Sequence, residues 1–141
     1  MRKELRQRLA SEYRYAVSRM QQEPHPAKKL FYFSVFYGEA ERVLNLEWDR
    51  AIALIRLVSQ QVYLQINATL QSPAMAVAPS PGAIIYEKLT EAAYDLAAYY
   101  ERPEKQSTGE DLSELLGRLA ELSYVVSGNG AYLYEKGFIR I

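Results

Sequence analysis

The stretch EWDRAIALIRLVSQQVYLQINATLQ, residues 47–71, decides how this chain folds. Projected at about 100° per residue, Trp48, Ile52, Ile55, Val62, Ile66 and Leu70 form one stripe. Leu54, Leu57 and Leu64 lie well off it, and Arg56 is the only charge after Arg50. A helix that is apolar around most of its circumference is buried on most of its sides. This one is therefore expected either at the centre of a helical bundle or in an interface between subunits.

From Leu57 to Tyr86 the chain carries no charge, a length that could span a bilayer. Yet Gln60, Gln61, Gln65, Asn67 and Gln71 fall inside it, followed by the proline-punctuated SPAMAVAPSPG of residues 72–82. So many amides, and a half that cannot be helical, would leave polar groups unsatisfied in lipid. The segment reads as buried inside a soluble protein. Its second half is expected to strap or lid one end of the bundle, with Met75 or Val77 tucked against apolar surface.

Helical periodicity beats alternation on both sides of this stretch. Residues 2–22 place Leu5, Leu9, Tyr13, Ala16 and Met20 on one stripe, and Pro24 and Pro26 end that helix. Leu30, Phe33, Phe36, Tyr37, Ala40, Val43 and Leu44 continue as a second helix, with Gly38 its only interruption. Asn45 is the expected cap before Glu47 and Asp49 open the third. Ser80-Pro81 starts a fourth, running to about 101, with Ile85, Leu89, Ala92, Ala93, Leu96 and Tyr100 facing inward. Ser107-x-x-Glu110 and Thr108-x-x-Asp111 resemble capping boxes for a fifth, built on Leu112, Leu115, Leu116, Leu119, Leu122 and Val126. The phase of Leu133 and Tyr134 carries that helix to about 136, with FIRI an extended tail; a hairpin is the other reading of 127–141. The expectation is one all-α domain over residues 1–141, an up-and-down antiparallel bundle of about five helices around the 47–71 helix.

Composition excludes much chemistry. The 141 residues contain no cysteine and one histidine, so disulfides, thiolate metal sites and any site needing two imidazoles are ruled out. Seventeen basic and seventeen acidic side chains cancel, leaving no global field toward nucleic acid or membrane. The N-terminus lacks a signal-peptide core and the glycine that myristoylation needs, so the expected location is cytoplasmic. No G-x-S-x-G elbow, phosphate loop or dinucleotide fingerprint appears. Glu87, Glu91 and Asp95 share a helix face, as Glu110, Glu114 and Glu121 nearly do, but both rows lie off the core stripes and read as hydrated ridges. No metal or cofactor is expected.

One spacing touches a known family. Arg19-Met-Gln-Gln-Glu-Pro-His25 resembles the Arg-x(4–6)-His motif of HEPN ribonucleases, small helical bundles whose Arg and His act on RNA at a dimer interface. The likeness covers seven residues. It falls at the end of the first helix with Pro24 inserted, whereas the family carries the motif late in its bundle. It implies Arg19 and His25 as catalytic residues of an alternative, nucleic-acid-binding reading. That alternative also draws on charge: residues 1–70 hold eleven basic against seven acidic side chains, residues 71–141 six against ten. Arg2, Lys3, Arg6, Arg8, Arg14, Arg19, Lys28 and Lys29 could neutralise phosphates while Tyr13, Tyr15 and Tyr32 stack on bases. A basic helix packed on acidic ones explains the same asymmetry, with His25 an ordinary turn residue.

Twelve tyrosines against four phenylalanines suit helix flanks and interfaces, where a side chain is dry at one end and wet at the other. The first reading is thus a non-catalytic module, homo-oligomeric or docking a protein partner. Its expected form is a dimer whose interface includes Leu57, Leu64 or the face of Phe31 and Val35.

Overall fold

The computed structural model describes residues 1–70, 79–103 and 109–126, and these form helices with no strand among them. The first, α1 (Lys3–Gln22), buries Leu5, Leu9, Tyr13, Ala16, Val17 and Met20, the stripe its periodicity predicts plus Val17. Arg2 provides no side-chain cap. Instead the Glu47 carboxylate, from the far end of the next helical arm, accepts the Arg2 amide at 3.0 Å. A negative charge there also suits the positive end of α1.

The expected single helix over residues 30–44 is two, α2 (Pro26–Phe33) and α3 (Val35–Leu46). The break falls at Ser34, not at Gly38. The Ser34 amide is shared between the Leu30 and Phe31 carbonyls, both at 3.2 Å, and its hydroxyl donates back to Phe31. Such back-bonding competes with the helix ladder and bends it. Taken as one bent arm, α2 and α3 leave the expected five helices.

Asn45 is not a cap, because α3 runs through it to Leu46. Asp49 takes that role: its Oδ1 accepts the Ile52 amide at 3.0 Å, so α4 is Arg50–Leu70. Trp48 thereby falls in the turn instead of on the helix stripe, and it is 73 % exposed. The helix expected from Ser80-Pro81 begins two residues sooner, as α5 (Pro79–Glu101), because proline without its amide is tolerated throughout the first turn. The last, α6, spans Gly109–Val126. The strap of Met75 and Val77, the capping boxes at Ser107 and Thr108, and the 127–141 tail lie outside the described residues.

The helices close a ring in which α1 packs on α3, α3 on α4, α4 on α6, α6 on α5 and α5 on α1. Side-chain pairs give the directions. Arg8 meets Glu39 while Tyr13 meets Phe36, Tyr37 meets Tyr63 while Glu41 meets Arg56, Arg6 reaches Tyr99 while Arg14 lies over Tyr94, and Asp95 meets Arg118 while Arg102 meets Asp111, so each of those helix pairs is antiparallel. By succession α4 and α6 run the same way. Short α2 touches α1, α4 and α5 and drives Leu30 and Phe33 into the interior. There Tyr13, Phe33, Phe36, Leu9, Met20, Ile52, Ile55, Leu89, Leu96 and Leu119 are sealed from water, each worth ~1.5–3 kcal/mol of burial. The bundle is not built around α4, as its composition had suggested. That helix is one wall of the ring.

Candidate functional site

On its inner face α4 buries Ile52, Ile55, Ser59, Val62 and Ile66. The hydroxyl of Ser59 is satisfied within the helix by the Ile55 carbonyl. Between residues 50 and 68 the exposed positions are Arg50, Leu54, Leu57, Gln61, Leu64 and Ala68. Leu54, Leu57 and Leu64 are exposed by 41, 63 and 53 %. An open depression of about 340 Å³ runs beside this row, lined by Leu57, Val58, Gln61, Val62 and, from α6, Ala120. The half-buried flanks are held by the edge-on contact of Tyr63 with Tyr37 and by the Arg56–Glu41 pair at 3.9 Å.

The other two expected interface residues separate from each other. Phe31 is 66 % exposed on α2 and meets the Tyr32 ring edge-on. Val35 is half-buried and packs against the core.

Part of the basic N-terminal cluster has partners within the molecule, while Lys3 and Lys28 are exposed. Arg6 donates to the Tyr99 and Arg102 carbonyls at the end of α5 and lies over the Tyr99 and Tyr100 rings. Arg8 faces Glu39 at 3.6 Å. Arg14 forms a two-pronged pair with Glu101 and lies over Tyr94, and its hydrogen bonds hold the Glu101 carboxyl below the usual carboxylate range. The Lys29 ammonium donates to the Met20 carbonyl. Of these contacts Arg14–Glu101 joins a base of the first half to an acid of the second, whereas Arg8–Glu39 lies within the first half.

Arg19 stands in the open between Tyr15 and Tyr32, its guanidinium 5.9 and 5.3 Å from their ring centres. His25 is more than a turn residue: its Nδ1 accepts the Ala27 amide at 3.2 Å and caps α2. The ring nitrogen that sees the helix is occupied by it. On the acidic ridge of α5, Glu91 pairs with Lys88 at 3.5 Å and Asp95 with Arg118 at 2.9 Å, while Glu87 is exposed. Among the described residues no three potential metal ligands gather, and no helix is long and apolar enough to cross a membrane.

Sequence reasoning missed Glu39. It is 6 % exposed, bonded to Arg42 at 3.0 Å, with its other oxygen buried and lacking a hydrogen bond. Its place between Phe36 and Val43 in the α3 stripe was the available signal. No family model, curated protein or solved structure matches the chain.

Proposed function

We propose that this chain is a non-catalytic helical module that works by associating with a second copy of itself through the outer face of α4. The observation that carries the reading is the exposed row of Leu54, Leu57 and Leu64 on a helix whose opposite face already fills the core. A solvated helix face ordinarily carries charge. This one has Gln61 and Ala68 between and beyond its leucines, and its only charge is Arg50 at one end.

Leu54, Leu57 and Leu64 are about half exposed in the single chain, so two copies have roughly three full leucine side chains left to bury. At ~1.5–3 kcal/mol each that is about 5–9 kcal/mol, inside the ~4–15 kcal/mol range that association costs in lost freedom. A closed two-fold dimer is the commonest solution for such a face. A cytoplasmic setting goes with this reading.

Light scattering at tens of micromolar tests it. The expected mass is twice the 16.2 kDa of the chain. Leu57→Glu combined with Leu64→Glu should give a monomer with unchanged helical circular dichroism. A monomeric parent protein would overturn the reading.

A further inference from the structure

The exposed residues of α4 fall at spacings of four, three, four, three and four: Arg50, Leu54, Leu57, Gln61, Leu64 and Ala68. That is the rhythm of a coiled-coil seam, repeated over five intervals and about 27 Å of helix. The seam occupies an arc of about 80°. Its inner counterpart, Ile52, Ile55, Ser59, Val62 and Ile66, keeps the same rhythm toward the core. The helix therefore has two packing faces, and among the described residues the ring of helices fills only one.

Resting on the self-association proposed above, we infer that α4 pairs antiparallel with α4 of the second copy, in the register that sets Leu54 against the partner's Leu64. An antiparallel seam alternates its two kinds of core position. The register that matches every layer puts Leu57 against the partner's Gln61 and Arg50 against the partner's Ala68. Each layer is then apolar or uncharged on at least one side.

Charge selects this direction over the parallel one. A parallel seam stacks each residue on its own copy, setting Arg50 against the partner's Arg50. The antiparallel pair separates those charges by the length of the seam, and it places the positive end of each helix dipole beside the negative end of the other.

Shape agrees. In this register the partner's Leu57 arrives over Gln61, where the depression between α4 and α6 is walled by Val58, Val62 and Ala120. It is a hole beside the seam on the side a knob must enter.

Because the chain has no cysteine, introduced thiols report the pairing without competition. The experiment compares Leu54→Cys alone, Leu64→Cys alone and their equimolar mixture, each oxidised mildly and read on a non-reducing gel beside light scattering. In the inferred register residues 54 and 64 meet, while each is about ten residues, or 15 Å, from its own copy, too far for a disulfide. Linked dimer is expected in the mixture, up to half of the chains, and next to none in either variant alone. Arg50→Cys mixed with Ala68→Cys, each about 27 Å from its own copy, should behave alike and serves if the first pair disturbs folding. Self-linking of a single variant would establish the parallel seam and overturn the inference. A dimer by light scattering with no cross-link in either mixture would overturn it too, while leaving self-association standing. A monomer would remove both.

Discussion

The Tyr13 hydroxyl donates to the Phe36 carbonyl at 3.0 Å while the two rings stack with centres 4.3 Å apart. Tyr13 is fully buried, so its one polar atom must find a partner, and the bend at Ser34 presents the start of α3 to it. One side chain thus ties α1 to α3 through packing and through a hydrogen bond. The two contributions separate by mutation. Tyr13→Phe keeps the stack and removes only the donor, since a helical carbonyl is already served by the amide four residues on. It should cost ~1 kcal/mol. Tyr13→Ala also opens a cavity and should cost ~3–5 kcal/mol. Urea denaturation followed by circular dichroism reads both, and equal losses would show that the hydroxyl carries the whole contact.

Alkaline stability should be governed by buried phenols. Burial pushes Tyr13 well above its ordinary value, moves Tyr86 to about 12, and raises Tyr100 further still. Each group keeps its proton in the fold at a pH where the unfolded chain releases it. The stability they contribute is complete below about pH 10 and falls as pH climbs from there toward the folded values. Each should add a slope of ~1.4 kcal/mol per pH unit in that window. Denaturation midpoints between pH 9 and 11.5 should therefore drop steeply above 10, and more gently in Tyr100→Phe. An unchanged slope in that variant would mean its phenol ionises freely in the fold.

The inward stripes of α1, α5 and α6 were legible in the sequence because each helix repeats apolar residues at three and four, with proline or a polar run between. What the sequence hid has local causes. Ser34 bends an arm whose apolar pattern continues straight through it. Asp49 outcompetes Asn45 as a cap, which moves Trp48 from a helix face to a turn. The apolar circumference of α4 suggested a central helix, because sequence records how apolar a face is and not which neighbour covers it. Glu39 stayed invisible for a related reason: its partners Arg8 and Arg42 lie on α1 and one turn along α3, and only the fold joins the first to it.

The Arg8–Glu39–Arg42 cluster should respond asymmetrically to truncation. Glu39 is buried whereas Arg8 and Arg42 are 46 and 62 % exposed at their side chains, so the carboxylate alone bears the desolvation. Its Oε2 lies 3.6 Å from Arg8, beyond hydrogen-bond length. Replacing such a group with an apolar residue of similar volume is often neutral or stabilising, while stripping its partners strands a buried charge. Glu39→Met should change stability by under ~1 kcal/mol, and Arg8→Ala with Arg42→Ala should lower it by ~2 kcal/mol. The reverse order in urea midpoints would show that the cluster stabilises the fold through Glu39.

Nucleic acid is the remaining alternative, and the contacts of the basic half set its expected outcome. Binding would require cations to exchange protein partners for phosphates: Arg8 would leave Glu39, Arg14 would leave Glu101, and Lys29 would leave the Met20 carbonyl. Each exchange subtracts from a phosphate contact that is already weakened by salt. Arg19, open between Tyr15 and Tyr32, and the exposed Lys3 and Lys28 need no such exchange, but they are three cations and neutralise three phosphates at most. The expected result at physiological salt is no detectable complex with single-stranded RNA or DNA by fluorescence anisotropy. His25→Ala should leave that result unchanged and lower stability by ~0.5–1 kcal/mol, the value of the lost cap on α2. A submicromolar complex whose affinity falls with salt by nearly one log unit per phosphate, weakened together by Arg8→Glu and Lys29→Glu, would show that these side chains leave their partners for RNA. Cleavage of that RNA, abolished by His25→Ala at a stability cost no larger than the cap, would establish the nuclease form.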